Sequence, residues 1–344
     1  MPRAKLFIYS LLGDNKNLNL KEKIAKTELI GLYRDMSLIR EFENETYRQY
    51  MQKQIKGFLH VYSGEEAIAV GVMSVLKEQD YITTHYRDHG HALARGLDSK
   101  LVMAELFGKT TGYSKGKGGS MHLFDSSRRF MGGYAIVGGQ MPIATGLGLA
   151  AQHEKKNALV VCFFGDGAMQ EGEFHESMNL AALWKLPIVF ICENNLYGMG
   201  AAINSTYALH DELYKAGDAY KIPGYKIDGM DLFEVRNVMQ EIDSRVRNGD
   251  GPVLIEAQTY RFRGHSISDP AAYRPKDEVE YWLGRDPIVL LRNYLIEQGL
   301  VTEEELQEAD ESVEKEITEA VSFAQQSPFP EPEALFDDVY ADEE

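Results

Sequence analysis

The chain of 344 residues is 44% hydrophobic and carries a formal net charge of −17, a composition typical of a soluble globular protein with one large or two modest domains. Its two cysteines, Cys162 and Cys192, both lie inside apolar runs, which excludes a disulfide framework and a zinc site and favours a reducing compartment. No stretch reaches the roughly 18 uninterrupted apolar residues that a membrane helix needs.

The acidity is concentrated near the end of the chain. Residues 301–344 contain 16 Asp and Glu against one Lys, so the rest of the chain is nearly neutral. We interpret this region as a solvated helix face, with a docking surface for a basic partner as the alternative. We expect no nucleic-acid or membrane partner. The apolar run near the amino terminus is too short for a signal peptide, so we expect an untargeted, cytoplasmic protein.

The first third of the chain predicts helices followed by a glycine-rich loop region. Apolar residues recur at helical spacing from about Lys21 to Gln54, and Gly64 to Leu76 continues with a second helix. A short strand begins at Tyr81. Nine glycines between Gly108 and Gly139 then predict a segment made mostly of loops.

The middle of the chain predicts a parallel sheet. Apolar runs at 158–164, 186–193 and 251–260 are typical of strands covered on both faces. A helical pattern at 172–184 separates the first two runs. This order predicts an α/β fold, a doubly wound, mostly parallel sheet with helices on both faces.

The last third, from Pro287, is predicted to be helical. Thr302 and Glu305 stand at the spacing of a capping box. We therefore divide the chain into an N-terminal helical extension (1–55), an α/β domain (56–285) and a helical, acidic C-terminal extension of that domain (286–344).

Two glycine motifs are judged to be misleading. GLGLAA, from Gly146, matches a dinucleotide-binding pattern, but the residues before it, GGQMPIAT, are typical of a loop leading into a helix rather than of the required strand. Close helix packing explains it better. GYSKGKGG, from Gly112, lacks the spacing and the Ser or Thr of a phosphate-binding loop.

A third motif predicts a metal site. Asp166 follows one covered strand and Asn195 follows the next, so both should lie at neighbouring carboxyl ends of a parallel sheet, where ligands bind in such folds. Carboxylate and amide oxygens suit Mg²⁺ or Ca²⁺. Because a helix start beyond Gly167 attracts an anion, the pattern indicates a magnesium-bound diphosphate.

Six further segments, in chain order, resemble one family. They are GFLHVYSGEEA, THYRDHGHALARG, GKGGSMH, AIVGGQMPIATGLGLA, AALWKLPIVFICENN and YRFRGHSISDPAAYR, and the resemblance extends over most of residues 25–300. Together with Gly165-Asp166-Gly167 and Asn194-Asn195, they resemble the alpha subunits of the thiamine-diphosphate-dependent decarboxylase components of 2-oxo acid dehydrogenase complexes. The resemblance is greatest to members that act on pyruvate.

The resemblance implies a set of site residues. Asp166, Asn195 and the backbone carbonyl of Tyr197 would hold Mg²⁺. Other groups would contact the cofactor or substrate: Tyr86, Arg87, Arg261, Gly167 and Ala168 at the diphosphate, Ala135 and Val137 at the aminopyrimidine, His265 as a catalytic residue beside the thiazolium, and His60 as a catalytic residue near the substrate.

Several neighbouring residues receive no such role. His89, His91 and His122 are expected to be satisfied loop residues, and Arg263 to solvate its loop. Ser266 and Ser268 match positions that are phosphorylated in mitochondrial relatives.

The resemblance also implies an activity and partners. The reaction would be the oxidative decarboxylation of pyruvate, which links glycolysis to acetyl-CoA, with transfer of the acetyl group to a lipoyl-lysine of an acyltransferase core. A beta subunit would supply a glutamate that ionises the cofactor in an α2β2 heterotetramer, so the chain alone would be inactive. Acetoin and branched-chain 2-oxo acids remain alternative substrates. An NAD-dependent oxidoreductase and a non-catalytic binding subunit are the alternatives from other classes.

Overall fold

The fold is built on one six-stranded sheet. The computed structural model describes residues 24–155 and 157–339, so the predictions that concern residues 1–23 and 340–344 lie outside the described residues. All pairings in this sheet are parallel, and the strand order is β2-β1-β3-β4-β8-β7. Its strands are β1 (Tyr81–His85), β2 (Phe130–Tyr134), β3 (Val160–Gly165), β4 (Ile188–Asn194), β7 (Gly224–Asp228) and β8 (Val253–Gln258), while β5 (Tyr197–Gly198) and β6 (Ala201–Ala202) form a separate antiparallel pair.

Helices cover both faces of the sheet. They are α1 (Lys26–Met51), α2 (Glu66–Met73), α3 (His89–Ala94), α4 (Ser99–Leu106), α5 (Gln140–Glu154), α6 (Gly172–Trp184), α7 (Ile203–Thr206), α8 (Leu232–Arg247), α9 (Lys276–Leu283), α10 (Pro287–Glu297) and α11 (Glu303–Gln326). Val161 and Phe163 of β3 face a core shared with α1, α2, α8 and α11, whereas Cys162 and Phe164 face α5 and α6. The prediction of a doubly wound parallel sheet is confirmed.

One local prediction was incomplete and another was wrong. The glycine-rich segment is mostly loop, as predicted, but it also contains β2, which pairs with β1 at one edge of the sheet. The helix α5 begins at Gln140, so most of the stretch predicted to be a loop before Gly146 is helical. β7 and α8 had not been predicted at all. β2 and β7 are the two outer strands of the sheet. They were not predicted because an outer strand is less covered by neighbouring elements and tolerates glycine and charged residues.

The packing of α5 explains the dinucleotide-like motif. Gly148 lies inside this helix, and a Cβ added there would come within 2.7 Å of the Ile188 side chain on β4. The glycine therefore lets the helix approach the sheet closely, as the sequence analysis expected. No strand precedes the motif directly, because β2 ends at Tyr134 and α5 begins six residues later.

The acidic C-terminal region packs against the start of the described chain. The capping box of Thr302 and Glu305 is present at the beginning of α11, which buries an apolar stripe including Val313 and Ile317 against the core. Its acidic face is partly paired, with Glu319 3.0 Å from Lys100 and Glu305 2.6 Å from Lys26. The domain boundaries at residues 55 and 285 stay predictions. Among the described residues, no helix combines the length and the apolar character needed to cross a membrane.

One buried carboxylate organises the glycine-rich loop that follows α4. Glu105 is fully buried, and its two oxygens accept four backbone N–H groups at 2.8–3.0 Å. The donors are Ser114, Gly116, Gly118 and Gly119. A Cβ on Gly112 would lie 2.3 Å from the same carboxylate, so only glycine allows the loop to wrap so closely.

We expect Glu105→Gln to destabilise the chain by about 2–6 kcal/mol. The amide NH2 would face two backbone donors, and each buried group left unpaired costs about 1–3 kcal/mol. Urea unfolding of the full chain measures the loss. Glu308→Gln, an exposed position on α11, removes the same charge and serves as the control. Equal stability of the two variants would contradict the anchoring role of Glu105.

Candidate active site

The predicted site residues gather at one edge of the sheet. Because all six strands are parallel, the segments that follow their carboxyl ends lie side by side. Five adjacent strands contribute: Ala135 and Val137 follow β2, Tyr86 and Arg87 follow β1, Asp166, Gly167 and Ala168 follow β3, Asn195 and Tyr197 follow β4, and Arg261 and His265 follow β8. After β1 the chain forms β2, which pairs with one side of β1, and then β3, which pairs with the opposite side. The strand order therefore changes direction at β1, and ligands bind at such a topological switch point.

Arg261 joins two of the three predicted metal ligands. Its Nη1 donates to the side-chain oxygen of Asn195 at 2.6 Å and to the backbone oxygen of Tyr197 at 2.8 Å. All three residues are buried. One positively charged nitrogen therefore lies against both oxygens, at the kind of position that a bound cation would take.

Arg261 and Asp166 also have buried polar atoms without partners. Oδ2 of Asp166 is buried without a hydrogen-bond partner, as are Nε and Nη2 of Arg261. Buried polar groups are normally paired, so an unpaired acceptor beside unpaired cationic donors fits a cation bound together with an anion. Burial raises the pKa of Asp166 to about 6, and the Arg261 charge opposes that rise.

Gly167 and Ala168 lie in a short 3₁₀ turn rather than at the start of α6. The turn spans Asp166–Gln170, and α6 begins only at Gly172 with Glu173 in its first turn. A Cβ on Gly167 would lie 3.8 Å from the backbone of Gly198, so the turn after β3 packs beside the β5 segment. The predicted backbone contacts therefore belong to this turn.

The rings of His60, Tyr86 and His265 form a cluster. The ring centroids of His60 and Tyr86 are 4.7 Å apart, and that of His265 lies 5.2 Å from His60 and 5.7 Å from Tyr86. Burial and the Arg87 charge lower the pKa of His60 to about 2 and that of His265 to about 3. Nδ1 of each imidazole is buried without a partner. Both histidines are therefore neutral and have a ring nitrogen available.

Arg87 holds the two histidine loops together. Its Nη1 donates to the backbone oxygen of Val61 at 2.8 Å, and its Nη2 to that of His265 at 3.0 Å. The guanidinium is almost fully buried, and its Nε lies 3.6 Å from the carboxylate of Glu65. In this structure it fixes the backbone around His60 and His265, and its contact with a diphosphate stays a prediction.

The remaining predicted residues lie farther out. Val137 is 41% exposed and Ala135 half-buried, in the loop between β2 and α5. Ser266 and Ser268 share a hydrogen bond of 3.1 Å on the loop after β8. Arg263 does more than solvate that loop, because its guanidinium lies 4.3 Å from the ring of Tyr47 on α1.

Sequence reasoning missed a buried network behind the site. Glu193, next to Asn194 at the end of β4, accepts from His85 at 2.5 Å, from His91 at 2.9 Å and from the Tyr62 hydroxyl. Although burial alone would raise it, His91 and His85 hold the pKa of Glu193 well below its usual range. Glu65, also missed, bonds to Asn195. In the sequence, the feature that could have drawn attention to Glu65 is a pair of adjacent glutamates before an apolar helix, in SGEEAIAV.

The network also explains a cluster of potential metal ligands. The ligand atoms of His85, His91 and Glu193 lie within 4.8 Å of one another. However, Nδ1 of His91 is bonded to Thr84, and Nδ1 of His85 accepts from a backbone N–H. Hydrogen bonds thus account for both imidazoles and the carboxylate without an ion.

The histidines that received no role all have protein partners. His89 bonds to Glu43 at 2.9 Å and His122 to the backbone oxygen of Gly133 at 3.0 Å. His89 and His91 belong to α3 rather than to a loop.

Comparison with known proteins identifies relatives along most of the chain. The model of the dehydrogenase E1 component family matches residues 34–333. A Rickettsia felis protein, the pyruvate dehydrogenase E1 component subunit alpha, is 44% identical over 93% of this chain and 98% of its own length. The protein of that name from Rhizobium meliloti is 43% identical over 92% and 91%. A chloroplastic subunit alpha-3 from rice is 44% identical over 93% and 77%.

We expect neither His60 nor His265 to titrate between about pH 5 and about pH 8. An unperturbed histidine has a pKa of about 6.5, but burial and nearby guanidinium charges penalise the imidazolium, so both rings stay neutral until far more acidic pH. Nitrogen-detected NMR of labelled histidines measures this, with His60→Gln and His265→Gln providing the assignments. An inflection near pH 6.5 for either ring would contradict the burial argument.

Proposed function

Because the chain belongs to the dehydrogenase E1 component family, we propose that it is the alpha subunit of a pyruvate dehydrogenase. Its reaction is the oxidative decarboxylation of pyruvate, with transfer of the acetyl group to a lipoyl-lysine on an acyltransferase core. Relatives that are 43–44% identical over more than nine-tenths of this chain are named as alpha subunits of the pyruvate dehydrogenase E1 component. The cytoplasmic location stays a prediction, since the relatives include bacterial proteins and a chloroplastic one.

One observation carries the proposal. A single nitrogen of Arg261 lies against oxygens of Asn195 and Tyr197, and Asp166, whose Oδ2 is buried without a partner, follows the neighbouring strand β3. Three oxygen donors of this type suit Mg²⁺, which commonly binds through few protein oxygens together with phosphate groups. The unpaired nitrogens of Arg261 suit phosphate oxygens, because a guanidinium binds them through two donors at once.

These residues fit magnesium and thiamine diphosphate. Asp166, Asn195 and the carbonyl of Tyr197 hold the metal, and Arg261 binds the diphosphate with help from the turn at Gly167. The chemistry that the bound cofactor supplies is an electron sink for loss of CO₂ from a 2-oxo acid. The remaining predicted contacts, which we retain as proposals, are Tyr86, Arg87, Ala135, Val137 and Ala168.

The two neutral histidines orient the reacting groups. The rings of buried His60 and half-buried His265 pack edge to face, and each has a buried Nδ1 without a partner. A neutral imidazole donates a hydrogen bond through one ring nitrogen and accepts one through the other. The tautomer decides which role the unpaired Nδ1 has. In the neutral state each ring orients a carbonyl or carboxylate of the substrate by donating an N–H to it, without adding charge to the site.

A beta subunit completes the site. The described residues form one doubly wound sheet, which provides the diphosphate-binding half. Exposed apolar side chains flank the site on the loop after β2 and on α5, and such patches typically mark interfaces; they are Ile136, Val137, Ile143 and Leu149, each at least 41% exposed. We propose an α2β2 assembly in which this side meets the beta subunit.

The test compares the chain purified alone with the chain co-purified with its beta subunit. We expect release of CO₂ from carboxyl-labelled pyruvate only from the complex, and only with both thiamine diphosphate and Mg²⁺ present. Chelation of the metal should abolish it. Activity of the chain alone would refute the split site. Faster turnover of acetoin or 3-methyl-2-oxobutanoate than of pyruvate would refute the substrate assignment.

We expect Arg261→Gln to change metal and cofactor binding in opposite directions. Removing a charge that lies against the metal ligands should tighten the binding of Mn²⁺ alone by about tenfold, as Coulomb interaction at short range allows. Thiamine diphosphate should bind more weakly, since its anion loses a guanidinium partner.

Electron paramagnetic resonance of Mn²⁺ and fluorescence titration of the cofactor measure the two affinities. Arg263→Gln is the matched control, because Arg263 lies on the same loop and contacts Tyr47 and Asn44 instead. Parallel loss of both affinities in Arg261→Gln would contradict the proposal.

A further inference from the structure

The side-chain amide of Asn195 lies between partners of opposite character. Its Nδ2 donates to Oε1 of Glu65 at 3.0 Å, and its Oδ1 accepts from Arg261 at 2.6 Å. A carboxylate only accepts hydrogen bonds and a guanidinium only donates them. The amide therefore has one permitted orientation, with its oxygen toward the point shared with Tyr197.

The loop that carries Glu65 is fixed by contacts other than the hydrogen bond to Asn195. It is fully buried, directly before α2, and Arg87 lies 3.6 Å away. The next residue, Glu66, binds Arg40 at 2.6 Å and accepts from the backbone N–H of Gly64. A Cβ on Gly64 would approach the backbone oxygen of Tyr260 to 2.2 Å, so the loop is pressed against the segment after β8. The backbone that carries Glu65 is thus fixed by its neighbours, and its carboxylate bonds to Asn195 through Oε1, while Oε2 has no hydrogen-bond partner.

We infer that Glu65 is a positioning residue, which holds the amide of Asn195 with its oxygen toward the metal site. This inference rests on the proposed function. An amide without such a partner can turn over and present its NH2 group, which repels a cation. Groups that orient a metal ligand in this way typically contribute 10- to 100-fold to metal affinity.

Two substitutions separate orientation from simple packing. Glu65→Met has similar length but no acceptor, whereas Glu65→Gln keeps a carbonyl oxygen that can accept from Asn195. We expect Glu65→Met to weaken Mn²⁺ binding by about 10- to 100-fold and Glu65→Gln to remain within about threefold of the parent. Glu65→Ala is measured alongside, so that a folding failure of the Met variant leaves a second acceptor-free protein.

A double-mutant cycle with Asn195→Ala tests the coupling directly. Once the amide is absent, Glu65→Met should have no further effect on the Mn²⁺ dissociation constant. Binding is measured by electron paramagnetic resonance of the complex with its beta subunit and thiamine diphosphate, and thermal unfolding checks that each variant is folded. The readout is metal affinity, so it does not depend on turnover.

The outcomes distinguish this inference from the proposed function. If the parent complex binds neither Mn²⁺ nor thiamine diphosphate, the proposed function fails. If the parent binds both and Glu65→Met binds Mn²⁺ equally well, only the positioning role is overturned. Equal weakening in Glu65→Met and Glu65→Gln would overturn it too, because the carboxylate charge would then matter rather than the acceptor.

Discussion

The site depends on one nitrogen of Arg261 shared between the amide oxygen of Asn195 and the carbonyl of Tyr197. This contact joins the segment after β8 to the segment after β4, two strands that are neighbours in the sheet. The positive charge of the guanidinium lies against both buried oxygens, and in a low dielectric such an interaction is strong.

The buried network behind the site has a related role. Glu193 accepts from His85, His91 and Tyr62, and all four side chains are buried. Buried polar groups cost free energy unless every partner is satisfied, and a satisfied network fixes a single arrangement. These bonds tie β1 and α3 to the end of β4, two residues before Asn195. These hydrogen bonds thus help to fix the backbone that leads into Asn195.

The sequence predicted the centre of the sheet better than its edges. β3, β4 and β8 are covered on both faces, so nearly every residue is apolar and the runs stand out. β2 contains two adjacent glycines and β7 contains lysine and aspartate, because an edge strand is only half covered. The neighbourhood of Asp166 and Asn195 followed from strand order alone. The bond between Glu65 and Asn195 joins residues 130 positions apart, and no local pattern in either segment specifies it.

The hydrogen-bond partners of the two buried arginines, Arg87 and Arg261, indicate different roles for them. Arg87 donates to two backbone oxygens and lies beside Glu65, so its hydrogen-bonding capacity supports the loops of His60 and His265. Arg261 donates through Nη1 only, and its other two nitrogens lack partners although they are buried. Folding does not supply acceptors for them. A buried cation with unused donors costs free energy, and an anionic ligand at this edge of the sheet would recover it. Oδ2 of Asp166 is likewise buried without a partner, and a bound cation would compensate the cost of burying it.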